Sequence, residues 1–474
     1  VQAIEHGEQI TIYGDYDVDG VTSTSILYRY LRSVDAKVDY YIPERLSEGY
    51  GMNEAAIRLI KKQGSQLVIS VDTGITAVHE CLVAKEIGLD VIITDHHECQ
   101  SELPEAFAII NPKRPDNTYP YTMLAGVGVA FKLIQALAQV HSKQEEVLEY
   151  LDLVAVGTIS DIVPLLDENR VITYYGLKKI KDTNNVGLKE LLKVAGYDFE
   201  KKISSRYIGF MVGPRINAGG RMGDAKRGVE LFTTDDPHQA YLLAHAMNEE
   251  NTARQVREQE IQEEALGIIA ENTEIQHSKI MVVSSKGWHH GVIGIVSSRI
   301  KDLFYKPNLI LTIDEEGIAS GSARSVEDFN LFKALESCKD ILIKFGGHEA
   351  AAGLSLDANL IPELQRRLNE YADEHMTEET LIPKLSIDDE LEIADLDIES
   401  VESLSKLEPY GQGMEEANFA IRGVVEEIKA IGKDRNTLRV NIRNDNTRLT
   451  AIGFKMAYYE PLFIQGNQVK IAGT

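Results

Sequence analysis

Three carboxylates stand at alternate positions near the start of the sequence. Asp15, Asp17 and Asp19 follow a short apolar run that ends at Tyr13, and carboxylates at one strand end repel each other unless a cation lies among them. The pattern D-x-D-x-D-G also opens a calcium-binding EF-hand loop. That loop requires Glu at its twelfth position, where this chain has Ile26, and the following residues predict an amphipathic helix. A polar turn without a ligand is the alternative for this stretch taken alone.

Further metal-binding side chains follow other apolar segments. Asp72 comes directly after one strand-like run, Asp95, His96 and His97 come after the next, and Asp161 follows a third apolar segment. In open parallel sheets, ligands bind beyond the carboxyl ends of the strands, so we expect these side chains to converge in one cleft. Carboxylate oxygens with one or two imidazoles suit Mg²⁺ or Mn²⁺ and are too oxygen-rich for a structural zinc.

The order of predicted elements gives the fold class. Short strands alternate with helices over residues 10–103, which is typical of a parallel sheet. The stretch 235–272 has neither Gly nor Pro between Pro237 and Gly267 and predicts one long helix. A second α/β unit and a small β-barrel of the OB type follow. We therefore predict an α/β protein with four parts: a catalytic domain (1–234), a connecting helix (235–275), a second domain (276–382) and the barrel (383–474).

Composition limits the classes of function. The chain has 474 residues, enough for about three domains. No apolar run approaches the roughly 20 residues of a membrane span, and the three cysteines form no C-x-x-C pair, so we expect a protein of the reducing cytoplasm without a membrane partner. A net charge of −25 argues against non-specific coating of nucleic acid. The abrupt ends at Val1 and Thr474 suggest a segment of a longer protein with a truncated barrel.

The acidic and histidine motifs resemble those of the DHH phosphoesterases. Four signature motifs of that family are matched by Asp17 with Asp19, by Asp72, by Asp-His-His at 95–97 and by Asp161. The form G-D-Y-D-V-D-G at 14–20 is similar to that of the family's single-strand-specific 5′-to-3′ DNA exonucleases. Other members carry a His where this chain has Tyr13, so Asp15 is expected to take over that coordination.

The resemblance implies a site with two Mn²⁺ or Mg²⁺ ions, bridged by Asp72. One ion would be held by Asp15 and Asp17, and the other by Asp19, His96 and Asp161. Asp95 is expected to orient His96 rather than bind metal. His97 is expected to contact the scissile phosphate or the leaving oxygen.

Substrate-binding groups are expected in three further places. The glycine-rich stretch 213–223 contains Arg215 and reads as a phosphate-binding loop or a flexible surface loop. Arg45 follows the second strand and is either a phosphate contact or a solvated charge. The second domain carries the G-G-H-x-x-A-A-G marker of the DHH-associated domain, and the residues expected to bind a nucleotide phosphate there are Ser322, Arg324, Gly346, Gly347 and His348.

The last domain has a basic stretch in an acidic protein. Residues 420–474 contain nine Lys or Arg against five Asp or Glu, a composition expected of a groove that follows a nucleic acid strand. Phe454, Tyr458 and Tyr459 are candidate stacking platforms for bases, with a place in the barrel core as the alternative.

The combined interpretation is a metal-dependent exonuclease that hydrolyses single-stranded DNA from its 5′ end in DNA repair and recombination. We expect a monomer whose partners are single-stranded DNA and, as candidates, a single-strand-binding protein or a helicase. A DHH phosphoesterase with a small substrate would not need the basic barrel. A catalytically silent DNA-binding scaffold would be expected to have lost metal ligands. This chain retains Asp17, Asp19, Asp72, His96 and Asp161.

Overall fold

Three five-stranded sheets follow one another along the chain. The computed structural model describes residues 1–44, 48, 49 and 51–474. Within those residues, each sheet is formed by strands that are close in sequence, and none of the strands is shared between sheets. The predicted succession of two α/β units and a β domain is therefore the observed one. No helix in the described part of the chain is long and apolar enough to cross a membrane.

The first sheet is entirely parallel and has the order β2-β1-β3-β4-β5. Its strands are β1 (Ile10–Tyr13), β2 (Val38–Tyr41), β3 (Leu67–Val71), β4 (Asp90–Thr94) and β5 (Ala108–Ile110). The chain passes from β1 to β2 on one side and then returns to β3 on the other. This reversal places a topological switch point between the carboxyl ends of β1 and β3, where open α/β sheets bind their ligands.

Eleven helices surround this sheet in the described residues. They are α1 (Gln2–Glu5), α2 (Val18–Ser33), α3 (Glu54–Lys62), α4 (Val78–Glu86), α5 (Gly126–Val140), α6 (Leu151–Ser160), α7 (Asp167–Ile180), α8 (Val186–Val194), α9 (Ser205–Tyr207), α10 (Gly213–Met222) and α11 (Lys226–Thr233). The main core lies between β1 and helices α2, α5 and α6 and includes Ile12, Ile26, Val127 and Val154. Gly157 of α6 allows a close approach to α2, since an added Cβ would lie 2.3 Å from Thr22 Oγ1.

The predicted connecting helix is α12 (Pro237–Glu271). It contains 35 residues and is about 52 Å long at 1.5 Å per residue. The side chain of Asp236 caps its N-terminus by accepting a hydrogen bond from the His238 amide at 2.9 Å. The short helix α13 (Thr273–His277) follows it. One helix therefore runs from the first domain into the second.

A buried ion pair lies along α12. Arg254 Nη1 and Glu258 Oε2 are 2.6 Å apart, and Arg299 Nη2 approaches Glu258 Oε1 at 2.5 Å. Arg299 belongs to α14 (His290–Phe304) of the second domain. The buried carboxylate of Glu258 is therefore neutralised by two guanidinium groups, one of which joins α12 to α14.

The second sheet is mixed and has the order β6-β7-β8-β10-β9. Its strands are β6 (Met281–Lys286), β7 (Asn308–Ile313), β8 (Ile318–Arg324), β9 (Lys344–His348) and β10 (Ala351–Asp357). Only β6 and β7 are parallel; the other neighbours are antiparallel. Helices α15 (Leu331–Glu336) and α16 (Ile361–His375) complete the domain beside α14.

The third sheet is formed by β11 (Asp389–Leu391), β12 (Phe419–Ile431), β13 (Thr437–Asn444), β14 (Thr447–Gly453) and β15 (Gln468–Gly473), with α17 (Ile398–Leu404) between the first two strands. The long strand β12 pairs with β11, β13 and β15, and a bulge lies between Val425 and Glu427. Bulges bend strands and increase twist. The antiparallel pairs agree with the predicted β domain, and the parallel pair of β11 with β12 is an addition to it.

The Glu258 pair yields a stability prediction. Glu258→Ala leaves the guanidinium of Arg254 buried without its carboxylate, a change that costs about 3–5 kcal/mol in comparable pairs. We expect the thermal midpoint measured by calorimetry to fall on the order of 10 °C. Glu260→Ala, at an exposed position of the same helix, is the control. Equal midpoints for the two variants would contradict the role given to Glu258.

Candidate active site

The first acidic motif lies in the loop between β1 and α2. Asp15 lies within the loop, Asp17 caps α2 by accepting a hydrogen bond from the Gly20 amide at 3.0 Å, and Asp19 lies in the first helical turn. Gly20 is required by packing, because an added Cβ would lie 2.5 Å from the Asp15 carbonyl oxygen. The tight turn brings three carboxylates to the switch point of the sheet.

Asp72 follows β3 with an unusual backbone conformation. Its φ angle is 59°, a left-handed value that non-glycine residues adopt at a cost of about 1–3 kcal/mol. The Asp72 amide donates to the Thr94 carbonyl of β4 at 3.0 Å, which holds the turn in place. Strain of this kind is concentrated at functional sites, and here it aims a buried carboxylate at the neighbouring motifs.

Two backbone amides at the start of α5 hold Asp19. The amide of Gly126 donates to Asp19 Oδ2 at 2.6 Å, and the amide of Val127 donates to Oδ1 at 2.8 Å. An added Cβ at Gly126 would lie 2.5 Å from Asp72 Oδ1. This support was not predicted from the sequence. The available signal is Gly126 itself, a glycine at the start of an apolar helix.

His96 joins these carboxylates from the end of β4. Its Nε2 lies 3.1 Å from Asp72 Oδ1, 3.6 Å from Asp161 Oδ2 and 3.8 Å from Asp19 Oδ2. Burial lowers the pKa of His96 to about 4. A neutral imidazole has a lone pair to offer a metal ion.

Asp161 reaches the cluster from the end of a helix. The apolar segment that we predicted before it is the helix α6, and Asp161 is the C-terminal cap of that helix. Burial raises the pKa of Asp161 to about 9, with the charges of Asp19 and Asp17 adding to the effect. Burial and the charge of Asp17 likewise raise the pKa of Asp19 to about 7. These carboxylates therefore hold protons tightly when no cation is among them.

The candidate ligand atoms fall into three overlapping sets. Within each set the atoms lie within 4.8 Å of one another, and the sets are Asp15 with Asp17 and Asp72, Asp19 with His96 and Asp161, and Asp72 with His96 and His97. The structure thus brings together all six residues predicted as metal ligands and makes Asp72 common to two sets.

The cluster fits a pair of divalent cations. Asp72 Oδ1 and His96 Nε2 are buried and have no hydrogen-bond partner among the described residues, since their 3.1 Å approach lacks hydrogen-bond geometry. Buried polar atoms without partners are rare in folded proteins, and a role as metal ligands accounts for both of these. The donor set is rich in carboxylate oxygens with one imidazole, which suits Mn²⁺ or Mg²⁺.

Asp95 is hydrogen-bonded to the backbone of the DHH motif and to the ring of His97, whereas we expected it to orient His96. Its Oδ1 accepts hydrogen bonds from the amides of His96 and His97 at 2.7 and 3.1 Å and contacts His97 Nδ1 at 2.7 Å, while its Oδ2 accepts from the Ile75 amide at 2.9 Å. Asp95 therefore orients the ring of His97 and only the backbone of His96. Burial alone would lower the pKa of His97, but the hydrogen bond to Asp95 raises it overall.

Four of the predicted phosphate-binding residues share one face of the second sheet. Gly353 of β10 pairs with Ser322 of β8 on one side and with Gly346 of β9 on the other. The next row of the same face, set by the two-residue strand period, contains Arg324 and His348. Gly347 points to the opposite face. Gly346 and Gly353 have no side chains, so the sheet surface beside Ser322 is open.

Arg324 is held firmly on this face. Its Nη1 donates to Ser322 Oγ at 2.7 Å and to the Ala323 carbonyl at 2.9 Å, and its Nε donates to Ser298 Oγ at 3.2 Å. Burial lowers the pKa of Arg324. Gly294 of α14 makes room for the pair, because an added Cβ would lie 3.2 Å from Ser322 Oγ.

The glycine-rich stretch 213–223 is a helix, not the predicted loop. Residues Gly213–Met222 form α10, directly after a π-helix at Ile208–Val212. Its glycines allow close packing, since a Cβ on Gly220 would lie 2.6 Å from the Tyr16 carbonyl oxygen. Arg215 donates to Asn248 Oδ1 at 2.9 Å and to the Met211 carbonyl at 2.5 Å. Arg45 lies outside the described residues.

Three family models match the chain in sequence order. The DHH family N-terminal domain matches residues 9–158, the DHHA1 domain matches residues 255–374 and the RecJ OB domain matches residues 387–474. A parallel sheet with an acidic cluster at its switch point, followed by a second α/β domain, is thus the arrangement of a DHH-family protein. The predicted fold class and family are confirmed.

Individual relatives show which branch of the DHH family this chain belongs to. The single-stranded-DNA-specific exonuclease RecJ of Bacillus subtilis is 45% identical over all 474 residues, which span 59% of that protein. RecJ of Haemophilus influenzae is 34% identical over 96% of this chain and 82% of its own length. The crystal structure of RecJ from Thermus thermophilus in complex with Mn²⁺ is 31% identical, with a TM-score of 0.82, and is matched over all of this chain and 66% of its own. The chain belongs to the RecJ family.

The raised pKa of Asp161 predicts how metal and stability are linked. An unfolded Asp has a pKa of about 4, so folding at pH 8 takes up a proton, and stability falls as the pH rises from about 4 to about 9. Mn²⁺ at a hundred times its dissociation constant should stabilise the protein by about 2.7 kcal/mol. Asp161→Asn should raise the melting temperature of the EDTA-treated protein and reduce the increase produced by Mn²⁺.

Calorimetry at pH 8 with EDTA and with Mn²⁺ measures both effects. Asp90→Asn, at the exposed start of β4, is the control and should match the unsubstituted chain. A full Mn²⁺-dependent increase in the Asp161→Asn variant would exclude Asp161 as a ligand.

Proposed function

We propose that this chain contains the catalytic centre of a metal-dependent exonuclease that hydrolyses single-stranded DNA from its 5′ end. The observation that carries the proposal is the group of three overlapping ligand sets at the switch point of the first sheet, two of which contain Asp72. The named activity of the relatives, single-stranded-DNA-specific exonuclease, agrees with it. We place the protein in the cytoplasm, in DNA repair and recombination, as a monomer with a helicase or a single-strand-binding protein as candidate partners.

Two Mn²⁺ or Mg²⁺ ions would be held by the six clustered residues. Asp15 and Asp17 would bind one ion, Asp19, His96 and Asp161 the other, and Asp72 both. When bound, such ions position the phosphodiester, activate a water molecule and stabilise the charge that develops on the phosphate. The amides of Gly126 and Val127 fix the Asp19 carboxylate. They thereby hold the ligands of one ion in a constant position relative to the ligands of the other.

His97 is proposed to contact the scissile phosphate. Its side chain is half-exposed beside the buried cluster, and Asp95 holds its Nδ1 at 2.7 Å. A ring fixed through one nitrogen presents its other side in one orientation. Its membership of a ligand set with Asp72 and His96 supports this role.

The OB domain is proposed to bind the strand beyond the active site. Five of its nine basic residues between 420 and 474 pair with Glu390, Glu426 or Glu427. The four without an ion pair in the described residues are Lys429, Lys433, Arg435 and Lys455. Phe454 and Tyr458 are 78% and 69% exposed and suit base stacking, whereas Tyr459 packs on the domain core.

The two alternatives lack this support. A phosphoesterase for a small substrate would leave the OB domain without a role. A silent scaffold would leave the buried, strained Asp72 without a role, since strained residues and perturbed carboxylates are concentrated at functional sites.

Asp72→Asn tests the two-metal assignment. A neutral amide bridges two cations poorly, so hydrolysis of a single-stranded oligonucleotide in Mn²⁺ should fall by at least about a thousandfold, while the circular dichroism spectrum stays unchanged. Separate 5′- and 3′-labelled substrates measure the polarity, and Asp90→Asn is the control. Activity of Asp72→Asn within tenfold of the unsubstituted chain would refute the assignment, and degradation from the 3′ end would refute the proposed polarity.

Arg324→Ala tests recognition of the 5′ end. If the Ser322–Arg324 face binds a 5′-phosphate, the charge-assisted hydrogen bonds lost on substitution cannot be replaced by a 5′-hydroxyl. We expect kcat/KM to fall about tenfold or more on 5′-phosphorylated strands and much less on 5′-hydroxyl strands. Lys333→Ala, which removes an exposed charge from α15, is the matched control. If the ratio of the two substrates stays constant, the end-binding site lies elsewhere.

A further inference from the structure

A loop that follows β5 is tied directly to the DHH motif. The side chain of Asn111 is buried. Its Nδ2 donates to the His97 carbonyl at 3.0 Å, and its Oδ1 accepts from the Lys113 amide at 2.8 Å. One amide side chain therefore fixes the backbone of Lys113 relative to that of His97.

The Lys113 ammonium group lies beside the DHH motif. Its Nζ is 3.0 Å from Oε1 of Glu98, the residue that directly follows His97. His97 belongs to a ligand set with Asp72 and His96. Lys113 is thus a cation held next to the candidate active site.

Stability does not explain this placement. The side chain of Lys113 is only 19% exposed, and its ion-pair partner among the described residues is Glu98 Oε1 at 3.0 Å, on a side chain that is 84% exposed. Ion pairs with a solvated partner contribute about 0–1 kcal/mol. A lysine held by its backbone, partly desolvated and paired to a mobile carboxylate can readily exchange that carboxylate for another anion.

We propose that Lys113 is a substrate contact whose ammonium group binds the scissile phosphate of the strand, in exchange for Glu98. The proposal rests on the proposed function, because it takes the strand to be the substrate of the cluster. A single positive charge at this point complements the additional negative charge of the transition state. Asn111 is then a positioning residue, which sets the distance of Lys113 from the His97 backbone.

Binding distinguishes a phosphate contact from a structural ion pair. A 3′-labelled oligothymidylate would be titrated by fluorescence anisotropy at several salt concentrations, with Ca²⁺ in place of Mn²⁺ because Ca²⁺ also occupies carboxylate sites. Each phosphate contact on a single strand contributes about 0.7 to the slope of log K against log salt. We expect Lys113→Gln to reduce the slope by about that amount. Lys113→Arg should preserve the slope, and Glu98→Gln should leave it unchanged or tighten binding.

Hydrolysis in Mn²⁺ supplies the second readout. Lys113→Gln should lower kcat/KM about ten- to a hundredfold with an unchanged melting temperature, Lys113→Arg should retain most activity and Glu98→Gln should retain all of it. Equal losses in Lys113→Gln and Glu98→Gln, or an unchanged salt slope in Lys113→Gln, would overturn the proposal. Failure of the unsubstituted chain to hydrolyse any strand would refute the proposed function instead, and the salt slope would still decide the role of Lys113.

Discussion

The first domain is organised around carboxylates that are buried together and repel one another. Asp19, Asp72 and Asp161 lie around one imidazole nitrogen, and burial with neighbouring charge raises the pKa of each carboxyl group. Such a group is unfavourable in a protein without counter-charges. The two amides that bind Asp19 and the cation at Lys113 offset only part of this cost, so the arrangement is one that divalent cations complete.

Bringing carboxylates from distant segments into one site requires elements to approach more closely than side chains normally allow. Gly20, Gly126 and Gly157 occupy the points of closest approach, where an added Cβ would meet the Asp15 backbone, the Asp72 carboxylate or the Thr22 hydroxyl. Each glycine therefore serves the metal cluster through packing between elements. Substituting any one of them would displace a ligand-bearing segment, even though none of the three glycines has a functional group.

The clustering of the candidate ligands could be predicted from the sequence because their chemistry is local. Asp72 and His96 follow strong strand signals, and their residue types specify the metal class. Features set by tertiary packing were not accessible in this way. The glycines at 213–223 predicted a loop, but the π-helix before them and the approach of Gly220 to Tyr16 stabilise a helix. The net positive charge of 420–474 did not reveal that Glu390, from an earlier strand, forms ion pairs with both Arg422 and Lys470.

Direction of cleavage must come from geometry outside the metal cluster, because a two-metal centre does not itself distinguish the two ends of a strand. Such geometry needs a fixed distance between the cluster and a group that binds the chain end. The helix α12 runs from one domain into the other, and Glu258 bonds it to Arg299 of α14. Gly294, on that same α14, lies over Ser322 and Arg324. The Glu258–Arg299 ion pair thus connects α12 to the helix that covers the sheet face proposed to bind the 5′-phosphate, and this connection would help to set the distance between end recognition and hydrolysis.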